Sequence, residues 1–213
     1  MAAAFAAGAE AIEAFSDLDK LVKASEKWPT EKCILAGERG GKRVDGFDLG
    51  NSPRDQSPEL TAGRRLFMST TNGTRCLERI QATPLVMTAA LTTRQAVVKK
   101  LLAHKPETVW LVGSGWEGTN SLEDTVCAGA IIHGVMTATG QSFVDCTDND
   151  SAVAAVALYE QWKDRMLELM HVATHGQRLL RLNNTADLEY CARMDVMDIV
   201  PEQESPGVLV HRG

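Results

Sequence analysis

Basic clusters, paired cysteines and long apolar runs are all missing from this chain of 213 residues, and each absence removes a class of function. Lys and Arg number 22 against 28 Asp and Glu, giving a net charge of −6. Nucleic-acid backbones are bound by clustered cations, and here the cations are scattered, so no nucleic-acid partner is expected. The five cysteines, Cys33, Cys76, Cys127, Cys146 and Cys191, are odd in number and lack the paired spacing of a zinc site. They read as free thiols of a reducing cytoplasm. No apolar run is long enough to span a bilayer. The opening "MAAAFAAGAEAIEAF" has no basic segment and turns acidic at Glu10 and Glu13, which makes a poor secretory signal. Internal repeats are absent as well. A cytoplasmic protein acting on a small molecule, away from membranes, is the expectation, and homo-oligomerisation is left open.

What the chain does contain points to an α/β fold. Hydrophobic residues make up 44% of it, with 17 glycines and only 5% aromatics. Short β-branched runs alternate with helical patterns, the signature of strand–helix–strand units and a largely parallel or mixed sheet. One domain over residues 1–213 is the default for this length. Ala2 to Ala11 reads as an alanine-rich helix, and Ser16 to Trp28 as a second, with Ser16 and Asp19 spaced as a capping box. "KCILAGE", "RLFMSTT", "PLVMTAAL" and "TVWLVGSG" read as strands. Helices are expected from about Thr74, over Thr92–His104, up to Gly140, and over Asp150–Leu182 with a break near His175 and Gly176. Between the first two strands lies a polar stretch of roughly 25 residues, long enough to be functional or disordered.

Four segments carry chemistry. "CILAGERGG" places Cys33 and Arg39 with five residues between them, as cysteine-dependent phosphatases do. However, "ILA" continues an apolar strand and no histidine neighbours the thiol, so a strand residue is the better reading. In "MSTTNGTR", Ser69, Thr70, Thr71, Asn72, Gly73 and Thr74 join a strand's end to a helix. Hydroxyls, backbone N–H groups and a positive helix end would then surround one point, as an anion site requires. The competing reading is an Asn-Gly hairpin turn, but Cys76, Leu77 and Ile80 continue at helical spacing. "GSGWEGTNSLED" offers Glu117 between glycines and Asp124 in the first turn of a helix, carboxylates suited to a hard cation. For Asp124 a capping box with Ser121 is the structural alternative. "GERGGKRVDGFDLGNSP" supplies Glu38, Arg39, Arg43, Asp48, Asn51 and Ser52, acids for a cation and guanidinium groups for an anionic substrate. The five histidines are scattered, mostly on helices, and read as packing or surface residues.

Taken in order, "LAGERGGKRVDGFDLGNSP", "STTNGTR" and "GSGWEGTNSLEDTVCAGAII" resemble the motifs of the 2-phosphosulfolactate phosphatase family. The likeness covers nearly the whole chain, down to "DIVP" near its end. The resemblance implies a three-layer α/β/α fold and a Mg²⁺-dependent hydrolase converting 2-phospho-3-sulfolactate to 3-sulfolactate and phosphate, as in coenzyme M biosynthesis. For such a metal-assisted hydrolysis Asp48, Glu117 and Asp124 are the expected acids on the metal side, with Glu38 as a catalytic acid in reserve. The phosphoryl group is expected at Ser69–Thr74, and the rest of the substrate at Arg39, Arg43, Asn51 and Ser52. Family members carry a strand ending in an Asp-Val-Leu-Arg-Ala-Thr type run before the alanine-rich helix. This chain opens at the helix, so its natural start is expected upstream. A related small-phosphoester hydrolase and a non-catalytic anion-binding protein are the alternatives.

Overall fold

The computed structural model describes residues 1–116 and 118–212. They form two compact units, Met1–Thr88 with Ile199–Gly213, and Ala89–Asp198.

The first unit runs α1 (Ala2–Ala6), β1 (Ala11–Ala14), α2 (Leu18–Ser25), β2 (Cys33–Arg39), β3 (Lys42–Arg43), α3 (Pro58–Thr61), β4 (Arg65–Ser69) and α4 (Gly73–Ile80). After the second unit, with α5 (Arg94–His104), α6 (Leu122–Thr139), α7 (Phe143–Cys146), α8 (Asp150–Trp162), α9 (Met166–Val172), α10 (Thr174–Arg181) and α11 (Thr185–Cys191), the chain returns as β5 (Glu202–Ser205) and β6 (Val208–Val210). The six strands form one mixed sheet in the order β3-β2-β4-β1-β6-β5. β2, β4 and β1 are parallel, while β3 and β6 pair antiparallel at either side.

Successive strand residues point to opposite faces, and both faces are covered. Ile12, Ile34, Ala36, Leu66 and Met68 pack with Ala4 and Phe5 of α1, Leu60 of α3 and Leu77 of α4. Phe67, Cys33 and Leu35 face the other way, toward Leu18, Leu21 and Ala24 of α2 and the loop residues Val44 and Phe47. The result is the α/β/α layering expected from the sequence.

Several elements differ from their sequence reading. The alanine-rich helix stops at Ala6, the chain turns at Gly8 (φ +87°), and Ala11–Ala14 becomes β1, with Ile12 fully buried between β4 and β6. Pairing on both sides overrides the helical preference of alanine. The second helix is capped by Asp17, whose carboxylate accepts the Lys20 N–H at 2.8 Å, rather than by Ser16. The long polar stretch is largely structured. Gly40 and Gly41, both with positive φ (+60° and +76°), make a two-residue turn into β3. The chain then runs back beside β2, with Leu49 bridged to Ala36.

In the second unit Leu91, Val126, Ala130, Tyr159, Met166, Leu169, Met170 and Leu188 form the core. α6 and α8 cross so closely that a Cβ on Gly129 would lie 1.9 Å from the Ala155 carbonyl oxygen. α6 ends at Gly140 in the left-handed conformation, as expected. The Asp150–Leu182 stretch divides after Trp162 and again at Ala173, just before the expected break. "TVWLVGSG" forms no strand among the described residues, and Trp110 is 85% exposed. β-Branched and aromatic content gives strand preference only where a neighbour supplies the ladder. "PLVMTAAL" contributes a single bridge, Met87 to Glu202. No helix is long and apolar enough to cross a membrane among the described residues.

Candidate active site

The register Gly37–Ser69 aligns the carboxyl ends of β2 and β4, where ligands of open α/β sheets bind. Close approach is built into this junction, since a Cβ on Gly37 would lie 2.7 Å from the Ser69 carbonyl oxygen. Glu38 is 7% exposed. Its Oε1 accepts the Thr71 N–H at 2.7 Å and its Oε2 the Gly41 N–H at 2.9 Å. One carboxylate thus ties the β2–β3 turn to the turn after β4. Burial pushes the Glu38 pKa up, but the N–H groups of Thr71 and Gly41, together with the Arg39 charge, outweigh it and hold the group below the usual glutamate range. Glu38 is therefore an ionised anchor at neutral pH.

Arg39 continues the strand. Its guanidinium donates to the Glu38 carbonyl oxygen at 2.7 Å and to Ser69 Oγ at 2.8 Å, so it lies over the end of β4. Thr70 and Thr74 cap one another. Thr70 Oγ1 accepts the Thr74 N–H at 3.2 Å, while Thr74 Oγ1 accepts the Thr70 N–H at 3.0 Å and donates to the Thr70 carbonyl. Ser69 and Thr74 are fully buried. Two of the hydroxyls thus knit the turn itself. Asn72 precedes α4 without a side-chain cap bond. Helix bonding begins with Cys76, whose N–H reaches the Asn72 carbonyl. Among the described residues, the N–H groups of Asn72, Gly73 and Arg75 have no hydrogen-bond acceptor. These are the orphan donors of a helix start, carrying its positive partial charge. The expected helix is confirmed over the hairpin turn. The Thr70–Thr74 pair lies within one short segment; the Glu38 anchor spans 33 positions and leaves no local signal.

Beside this centre, Asp48 is held by the outer edge of β2, where its Oδ2 accepts the Leu35 N–H at 2.8 Å. Arg43 donates to the Asp48 carbonyl at 3.0 Å. Ser52 caps a short 3₁₀ turn, Pro53–Asp55, and Asn51 is exposed. Glu38, Arg39 and Ser69–Thr74 therefore converge, whereas Arg43 and Asp48 form a neighbouring pair on the returning chain.

Asp124 belongs to the second unit. It stands in the first turn of α6, where Ser121 Oγ accepts its N–H at 3.4 Å, so the capping reading holds. Its Oδ2 also accepts the Gly115 N–H at 2.9 Å, clamping the preceding loop. Glu117 lies outside the described residues. Cys33 sits at the other end of β2 from Arg39, a separation of roughly 20 Å at strand rise. Burial raises its pKa against the opposing charge of Arg65, so the thiol stays protonated. The two cannot share a phosphate.

No three His, Cys, Asp or Glu side chains form a ready metal cluster among the described residues. The donor chemistry nevertheless suits Mg²⁺. Asp48 and Asp124 each have one oxygen oriented by a backbone N–H, and the second oxygen has no hydrogen-bond partner among the described residues. Oriented carboxylate oxygens are the ligands a hard cation takes.

Similar known proteins share one description. A family described as 2-phosphosulpholactate phosphatase matches residues 1–206. A relative from Cyanothece is 57% identical over 210 residues, covering 99% of this chain and 86% of its own length. One from Nostoc punctiforme is 57% identical over 209 residues, with 98% and 85% covered. One from Microcystis aeruginosa is 53% identical over 210 residues, with 99% and 86% covered. Each of these carries the name "Probable 2-phosphosulfolactate phosphatase".

Proposed function

Because the chain belongs to the 2-phosphosulpholactate phosphatase family, we propose that it is a phosphoric monoester hydrolase that splits 2-phospho-3-sulfolactate with water to 3-sulfolactate and inorganic phosphate. The observation that carries this reading is the Glu38 anchor. It ties down the turn after β4, where the N–H groups of Asn72, Gly73 and Arg75 have no acceptor among the described residues. There they would hold the phosphoryl oxygens and stabilise the charge that develops during transfer. Glu38 itself repels a phosphate, and Arg39, seated between the strand ends, offsets that charge. Arg39 also presents a planar fork to the substrate's carboxylate or sulfonate. Arg43, Asn51 and Ser52, on the returning chain, are assigned to the rest of the substrate.

Mg²⁺ is part of the proposal, with Asp124 and Glu117 of the second unit assigned to hold it. When bound, it would supply positive charge to the phosphoryl group and make a water more acidic. The cytoplasm, and a supply of sulfolactate for coenzyme M biosynthesis, complete the reading.

Phosphate release tests it. Purified protein is incubated with 2-phospho-3-sulfolactate and with phosphoesters lacking the sulfonate, each with Mg²⁺ or a chelator. Fastest release from phosphosulfolactate, abolished by the chelator, is expected. Faster release from another ester would move the activity to the related-hydrolase reading, and binding of phosphate without any release would leave only anion binding.

A further inference from the structure

α10 brings two side chains onto the glycine-bracketed loop of the second unit. The His175 ring lies 4.5 Å from the ring of Trp116, tilted by 41°. The Arg178 guanidinium stands over the same indole at 4.8 Å. His175 and Arg178 are three residues apart on α10 and so share a face. Trp116 is fastened to its own loop as well, since it exchanges both backbone hydrogen bonds with Thr119, at 3.1 and 2.9 Å. Next to it Gly115 has φ +68°, and a Cβ there would lie 2.5 Å from the Thr119 carbonyl oxygen. The Gly115 N–H in turn goes to Asp124. An unbroken series of contacts thus runs from Arg178 and His175 through Trp116 and Gly115 to the Asp124 carboxylate. His175 Nδ1 is buried and has no hydrogen-bond partner among the described residues, an expenditure that surface packing alone would not require.

We propose that Arg178 and His175 are positioning residues for the reaction. By gripping the indole of Trp116 they hold the loop against the start of α6 and fix the direction of the Asp124 carboxylate. A cation over an indole face is attracted by the ring quadrupole, and lysine can take the same place where glutamine cannot. The inference rests on the reading that Asp124 serves the proposed phosphatase.

The test combines two readouts on the full chain. The emission of Trp116 is isolated as the difference between the parent and Trp116→Phe, and compared with the same difference in the Arg178→Gln and Arg178→Lys backgrounds. Arg178→Gln should shift that emission to the red and make it more readily quenched by acrylamide, while Arg178→Lys should stay near the parent. Turnover is followed in parallel on the best phosphoester of the panel. Arg178→Gln should lower kcat about tenfold, with KM changed less, because a misdirected group costs rate more than binding. Arg178→Lys should recover most of the loss, and His175→Phe, which retains a ring against Trp116, should lose less than His175→Ala. Unchanged Trp116 emission in Arg178→Gln would overturn the grip. A changed emission with unchanged kcat would overturn its role in the reaction. Absence of turnover on phosphosulfolactate by the parent, with release from another ester, would bear on the substrate reading alone.

Discussion

The carboxylate of Glu38 accepts the backbone N–H of Thr71 at 2.7 Å, across 33 positions of sequence, and so sets the turn after β4 against the end of β2. Glu38→Gln keeps the shape but offers a single acceptor oxygen where two N–H groups now bond. A cost of about 1–3 kcal/mol at pH 7 is expected from leaving a buried donor unpaired. The folded-state pKa of Glu38 lies below its unfolded value. Its ionised form therefore contributes stability that is complete above the unfolded glutamate pKa and is lost as pH falls through the lower folded value. Denaturant melts of parent and variant should differ most at neutral pH and converge in acid; a gap that stays constant down to pH 3 would contradict the anchor.

Gly37→Ala tests the closeness of the strand ends. The added methyl would lie 2.7 Å from the Ser69 carbonyl oxygen, so β2 and β4 must part. We expect a loss of roughly 1–3 kcal/mol together with a clear loss of phosphate affinity, read by chemical denaturation and calorimetric titration. Parent-like values in both would show that the junction is tolerant.

Cys33→Ser should leave turnover near the parent's. Cys33 faces α2 at the amino end of β2, donates its thiol hydrogen to the Ser25 carbonyl at 3.6 Å, and is kept protonated by burial. Loss of turnover in a folded Cys33→Ser protein would restore the thiolate mechanism.

Asp124→Asn separates capping from metal binding. The amide oxygen can still accept the Gly115 N–H, so stability should fall by only about 1 kcal/mol. The charge is gone, so the Mg²⁺ concentration for half-maximal turnover should rise at least about tenfold. An unchanged Mg²⁺ requirement, with a normal melting temperature, would remove Asp124 from the metal assignment.

The turn after β4 and the helix that follows it were readable because their signals are local. Hydroxyl residues, Asn72-Gly73 and the helical spacing of Cys76, Leu77 and Ile80 all lie within a dozen positions. The same holds for β2, an apolar run between polar flanks, and for α6 with its Ser121 cap and Gly140 end. What escaped depends on partners far along the chain. Ala11–Ala14 looks helical in isolation and becomes a strand through pairing with β4 and β6. "TVWLVGSG" looks like a strand and finds no ladder among the described residues. Glu38 appeared as one acid among several in a polar loop, since its bond to Thr71 exists only once β2 and β4 are in register. Nothing in the spacing of His175 and Arg178 announces Trp116.

The most direct test of the central claim is the response of individual backbone amides to inorganic phosphate, followed by ¹H–¹⁵N correlation spectra. We expect saturable shifts concentrated at Asn72, Gly73 and Arg75, with a smaller response at Thr71, whose N–H is already taken by Glu38. Saturable shifts confined to other parts of the chain, in a protein that still releases phosphate from its substrate, would contradict the placement of the phosphoryl group at this turn.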